Sequence, residues 1–120
     1  MNELPTVNDE TFDREVTAND TPVLVEFSAE WCGPCKAMEP EIAAIAKRFD
    51  GRLKVVVIDG DVSPVTAQRL RVRGFPTVVV FKNGQEVARQ LGAVSRTRLA
   101  AMCEPHLRPA TESRGTSSGW

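Results

Sequence analysis

An α/β fold, built on a parallel βαβ unit and closed by a β-hairpin, is predicted by three stretches of the chain. Val23 to Ser28 and Leu53 to Ile58 are apolar runs rich in β-branched residues and too short for helices, which makes them buried strands. Between them Met38, Ile42, Ile45 and Phe49 recur at helical spacing, one stripe of an amphipathic helix. A strand, helix and strand of this kind join parallel strands through a right-handed crossover. Further on, Asn83-Gly84 stands between Thr77 to Phe81 and Glu86 to Leu91, the strongest short signal for an antiparallel hairpin.

The elements follow in order. A short first strand is expected around Leu4 to Val7, and Pro5 assigns it to a sheet edge. Asn8 then caps a helix with Asp9 and Glu10 in its first turn, where acids favour the helix dipole, and Val7 and Phe12 fall at staple positions. The helix carrying the apolar stripe begins near Pro34 and closes at Asp50-Gly51. Pro40 inside it should kink it rather than end it, because the stripe continues on both sides. Ser63-Pro64 reads as an N-cap with proline at the first position of a short helix, and Gly74-Phe75-Pro76 breaks the chain before the third apolar strand. Ser95 caps a last helix with an apolar face of Leu99, Met102, Cys103 and Leu107. Beyond it "RPATESRGTSSGW" is small and polar. One domain over residues 1–107 and a disordered tail over 108–120 are therefore expected, with Trp120 a frayed end rather than a docking handle.

A chain of 120 residues with 42% hydrophobic content can bury one ordinary core, and it leaves no room for a second domain. Net charge is -1 with both signs interspersed, which argues against a nucleic-acid or anionic-lipid partner. Arg69, Arg71 and Arg73 read as a solvated face. The polar, acidic start lacks the apolar segment of a targeting peptide, and no apolar run approaches a membrane span. A cytoplasmic protein in a reducing compartment is expected. Three cysteines, an odd number, do not make a disulfide framework there; they point to redox or metal chemistry.

Cys32 falls just before the first turn of the helix that starts near Pro34, and Cys35 lies one turn in. Unpaired N–H groups and the positive dipole end favour a thiolate at such a position, where cysteine pKa values fall to roughly 3.5–7.5. Cys32 is thus the expected nucleophile, with Cys35 protonated beside the core until needed. Gly33 permits close approach of the sulfurs, and Pro34 fixes φ where its missing N–H costs nothing. Such a pair can take a disulfide from another protein: Cys32 attacks, a mixed disulfide forms, and Cys35 resolves it.

The same spacing suits half a zinc site, with Cys103 and His106 as the other half. If the last helix runs away from the active-site end of the sheet, however, Cys103 lies roughly 12 Å from its start, too far to share an ion. Taken alone, Cys103 reads as a small buried hydrophobe, and His106 as a partner of terminal helix carbonyls.

Joined to "GFPT", "FKNG" and "LGA" downstream, "EWCGPCK" strongly resembles the thioredoxin family, over nearly all of the chain from Leu4 to Leu107. The resemblance implies a thioredoxin fold, a central mixed five-stranded sheet flanked by four helices. It implies a monomeric protein-disulfide reductase with no bound cofactor, a redox-active Cys32-Cys35 disulfide, and reducing equivalents from NADPH through thioredoxin reductase. Disulfide-containing client proteins are its implied partners. Residue by residue, it carries over Cys32 as attacking thiol and Cys35 as resolving thiol. Trp31, Gly33, Pro34, Gly74, Phe75, Pro76 and Gly92 become the surface that meets a client, with Trp31 beside an exposed nucleophile and Pro76 in the cis form. From the residues alone, Phe75-Pro76 before a strand says only that the chain turns.

Three positions depart from the family pattern. Ser28 replaces a second aromatic residue, which alters packing under the site. Phe75 replaces a smaller aliphatic residue before the proline, which shifts substrate preference. Glu26 stands in the apolar run where aspartate is usual, and the position that often carries a lysine beside it is Val57. A carboxyl buried without a cation should have a raised pKa, because desolvation disfavours its charged form. Glu26 is therefore expected to take the proton of Cys35 during resolution, through a bridging water; the competing reading is a structural carboxyl turned toward solvent.

Two other classes were open to such a sequence. A protein-binding module on the same fold would not require both sulfurs. An oxidase or isomerase of secreted proteins is disfavoured by the missing targeting segment and by Gly-Pro between the cysteines, a pair that resembles the reducing members of the superfamily.

Overall fold

The computed structural model describes residues 4–109. The first strand is only two residues long, β1 (Thr6–Val7). Pro5 ahead of it has no N–H for the ladder and offers only its carbonyl, which accepts from Val57 N at 3.0 Å. β2 (Val23–Ser28), α1 (Gly33–Arg48) and β3 (Lys54–Asp59) form the expected βαβ unit, with β2 and β3 parallel. α2 (Pro64–Arg69) leads into β4 (Thr77–Lys82) and β5 (Gln85–Leu91), an antiparallel hairpin. At its turn Asn83 and Gly84 have φ of 53° and 79°, the left-handed conformation that a two-residue hairpin demands. α3 (Arg96–Cys103) and a 3-10 turn over Glu104–His106 complete the fold.

The strands form one five-stranded sheet in the order β1-β3-β2-β4-β5, so β2 is central and β1 lies at an edge as Pro5 predicts. Side chains alternate across it, and each face has its own core. Leu24, Val55, Val78 and Val80 pack under the α1 stripe of Met38, Ile42, Ile45 and Phe49 and under Leu99, Met102 and Cys103 of α3. Val23, Val25, Phe27, Val56, Ile58 and Val79 face Phe12, Val16 and Ala67 on the other side. This is the mixed sheet with flanking helices that the resemblance implied. α1 runs unbroken through Pro40, because the stripe on both sides is buried.

Two local expectations are corrected. Asn8 does act as a cap, its Oδ1 accepting from Glu10 N at 2.9 Å and Thr11 N at 3.0 Å. That cap holds only the turn over residues 9–11; the helix that follows is a single π-helical stretch, Asp13–Thr17, whose N-cap Phe12 makes no side-chain cap bond and in which Ala18 N reaches back to Asp13 O at 2.8 Å. Ser63 occupies the N-cap position of α2 but makes no side-chain cap bond. Its role passes to Asp9, fifty-odd residues earlier in sequence, whose carboxylate accepts from Val65 N at 3.2 Å and Thr66 N at 2.8 Å. A distant cap of this kind leaves no trace in the local sequence.

Ser95 is the cap it was read as, its Oγ accepting from Arg98 N at 3.2 Å. Ser95→Ala should lower stability by about 1 kcal/mol, measured by urea unfolding. At the other end of α3, Arg108, assigned to the tail from sequence, exchanges two hydrogen bonds with Arg52, at 3.2 and 2.8 Å. The remaining expectation of a disordered tail, Trp120 included, lies outside the described residues.

Candidate active site

β2 ends at Ser28, and the chain turns through Ala29 and Glu30 to place Cys32 at the head of α1. The helix begins at Gly33, one residue earlier than expected, so Cys32 is its N-cap. Its sulfur fills the place that a serine or aspartate oxygen usually takes, accepting from Cys35 N at 3.2 Å. No acidic residue stands in the first turn, so the positive end of the helix dipole acts on sulfur alone. Cys32 and Cys35 are joined as a disulfide with Cα atoms 5.3 Å apart.

The expected exposed nucleophile is not exposed in this oxidised state: Cys32 is 3% exposed. It is covered because Phe75 packs against the cluster of Ala29, Cys32 and Cys35. Trp31, by contrast, is 69% exposed, which suits binding surface rather than core. Its ring lies 5.9 Å from that of Phe75, and its Nε1 donates to Asp61. The peptide bond between Phe75 and Pro76 is cis. Pro76 O accepts from Gly92 N at 2.8 Å, and Gly74 O accepts from Thr77 Oγ1 at 2.6 Å. Gly92 has φ of 95°, a conformation that favours glycine, and Leu91 beside it is 60% exposed and packs toward Gly74. The cis-proline loop and the end of β5 are thus tied together, and Phe75 links them to the disulfide. Gly33 and Pro34 are exposed on the helix head.

Glu26 is 1% exposed, which removes the reading of a carboxyl turned to solvent. Its neighbours in the sheet register are Val57 on β3 and Val78 on β4, so no cation lies beside it on either strand. Alternation along β2 puts it on the Leu24 face, under α1. Its Oε2 has no hydrogen-bond partner among the described residues. Burial pushes the carboxyl up from 4.5 to about 7, and the negative charge of Glu39 adds to the rise. Glu39 is exposed on α1 one turn after Cys35, close enough for its charge to act on Glu26.

Three contributors were not found in the sequence. Asp61 and Gly60 sit in the "DGD" loop after β3, where Asp59 Oδ1 accepts from Asp61 N at 2.8 Å and Val62 N at 3.1 Å. That pattern signals a turn, but not that the turn ends beneath Trp31. Glu39 carries no local signal in the sequence, and only its charge acting on Glu26 gives it a role.

Cys103 is fully buried in the core between α1 and α3, as read. Burial, with Glu104 nearby, pushes its thiol up to about 12. In the folded, reduced protein at pH 8, iodoacetamide should therefore label Cys32 and leave Cys103 unmodified, a contrast that peptide mass mapping reads directly.

Two sulfurs that close on each other at a helix head have one general chemistry, the exchange of electrons with another disulfide, and on this sheet they define a thiol-disulfide oxidoreductase. The thioredoxin family model matches residues 3–104. Thioredoxin 1 of Nostoc sp. is 42% identical over 107 residues, spanning 89% of this chain and 100% of its own. Thioredoxin of Synechocystis sp. is 40% identical with the same coverage, and the chloroplastic M-type thioredoxin of Pisum sativum is 40% identical with 62% of its length covered. The chain belongs to the thioredoxin family and is a protein-disulfide reductase.

Proposed function

We propose that reduction proceeds through Cys32 as attacking thiolate, Cys35 as resolving thiol and Glu26 as proton acceptor. Cys32 attacks one sulfur of a client disulfide, forming a mixed disulfide and releasing the other client sulfur as thiolate. Cys35 gives its proton to Glu26 and attacks Cys32, expelling the second client thiolate. Two electrons have then passed to the client, and the protein holds the Cys32-Cys35 disulfide. Trp31, Gly33, Pro34, Gly74, Phe75, Pro76 and Gly92 receive the client, whose extended chain pairs with the backbone at Phe75-Pro76.

The single observation that carries this reading is a buried, unpartnered carboxyl beneath the helix whose head bears the disulfide. A cleft of about 500 Å³ lined by Lys36, Glu39 and Val57 opens nearby, and Val57 is the register neighbour of Glu26.

In the cell, the disulfide is returned to the dithiol by two electrons from NADPH through thioredoxin reductase, in the cytoplasm, with the protein acting as a monomeric electron carrier. The test is insulin reduction coupled to NADPH and thioredoxin reductase. Sustained NADPH oxidation that requires both the protein and insulin is expected. Turnover with dithiothreitol but none with the reductase would overturn the donor assignment, and no turnover with either would overturn the client role.

A further inference from the structure

At Gly60, beside the site, space explains the lack of a side chain. Its φ is not among the positive values, so its backbone would admit any L-residue. A β-carbon built there would nevertheless clash with the edge of the Phe75 ring, 2.5 Å from Cε1. The backbone cannot retreat easily, because Gly60 N is held to Ser28 O at 2.8 Å where β2 and β3 end. Phe75 in turn occupies that space because its ring is packed on Ala29, Cys32 and Cys35. The missing side chain and the large one are therefore complementary, and they meet beside the disulfide.

We propose that Gly60 is a positioning residue for client specificity: it seats the Phe75 ring against the disulfide, where the ring selects clients with a bulky apolar residue next to the attacked cysteine. The inference rests on the reading of Phe75-Pro76 as client surface. The apolar choice follows from the ring's surroundings. Trp31 flanks it with its ring 5.9 Å away, and Trp31 is mostly exposed. With the ring in its seat, the two aromatic side chains present a shallow apolar surface that a leucine or phenylalanine can cover and a serine cannot. A methyl group at residue 60 would lift the ring out of its seat and break that surface while leaving both sulfurs in place.

The test uses the reduced full-length protein and two synthetic peptide disulfides that differ only in leucine or serine beside the attacked cysteine. Second-order rate constants are measured for wild type, Gly60→Ala, Phe75→Ile and the double variant. Wild type should prefer the leucine peptide by about tenfold or more, the discrimination that one apolar contact of this size supplies. Gly60→Ala should lose most of that preference, and the double variant should match Phe75→Ile alone, since a β-carbon at residue 60 then has no ring to displace. A preference that survives Gly60→Ala, an equal slowing of both peptides, or additive effects in the double variant would each overturn the proposal. If Gly60→Ala fails to fold, recovery in the double variant supports the pairing and continued failure overturns it. A wild type that reduces neither peptide refutes the client surface itself, whereas one that reduces both without preference refutes only this inference.

Discussion

Cys35→Ser should arrest the protein at the mixed disulfide and lower turnover by at least about a thousandfold. Cys32 and Cys35 sit one helical turn apart with Cα atoms 5.3 Å from each other, so the resolving sulfur is held at an effective concentration that no free thiol in solution approaches. With serine at residue 35, Cys32 still attacks, but release of the client falls to external thiol. The client then stays attached, and a covalent complex should appear on a non-reducing gel and vanish with dithiothreitol. Cys32→Ser should be equally inactive yet trap nothing. A Cys35→Ser protein that turns over normally, or a complex formed instead by Cys32→Ser, would reverse the assignment of the two sulfurs.

Glu26→Gln should make the protein slower and more stable at once. Burial lifts the carboxyl from 4.5 to about 7, so between those values the unfolded chain has released its proton while the folded chain keeps it. The folded state binds more protons, and stability therefore falls as pH rises from 4.5 to about 7 and levels off above. At about 1.4 kcal/mol for each pH unit separating the two values, ionised Glu26 costs about 3 kcal/mol at pH 8. Glutamine carries no such cost. The variant should gain about that much in urea unfolding at pH 8 and nearly nothing at pH 4. Its rate should move the other way. In wild type, resolution of the mixed disulfide should rise with pH around a midpoint near 7 as Glu26 becomes able to accept a proton. The glutamine variant should lack this rise and lag by about a hundredfold at pH 7.5, closing the gap near pH 9 where hydroxide serves instead. Equal rates from pH 6 to 9 would end the proton-acceptor role even if the stability gain were found.

The parts of this protein that declared themselves in sequence are those encoded by neighbours along the chain. β2 was bounded to the residue because its apolar run is continuous, and the α1 stripe was legible because four buried side chains repeat at helical spacing. The dithiol was legible because its four residues are contiguous. The cis form of Pro76 came only through resemblance, since no local rule demands it. Glu26 was recognisable as an anomaly, but Glu39 was not recognisable as its partner, because that relation exists only after α1 packs on β2. Asp9 capping α2 and Gly60 making room for Phe75 have the same character. Each is a contact between segments with no shared periodicity, and sequence patterning carries no signal for it.

The sheet's two ends also bear on how this chain behaves in a crowded solution. A strand left open at an edge is a template for aggregation. Here β1 is two residues long behind a proline, too short to extend. At the other edge, β5 carries Glu86 and Arg89 in an ion pair at 2.6 Å, and Arg89 also reaches the Leu70 carbonyl at 2.7 Å. A second copy adding itself there would have to bury those charges. The register shift between Val80 and Phe81 further bends the hairpin away from a flat mating surface. One edge of the sheet is therefore too short to template another strand, and the other is guarded by charge.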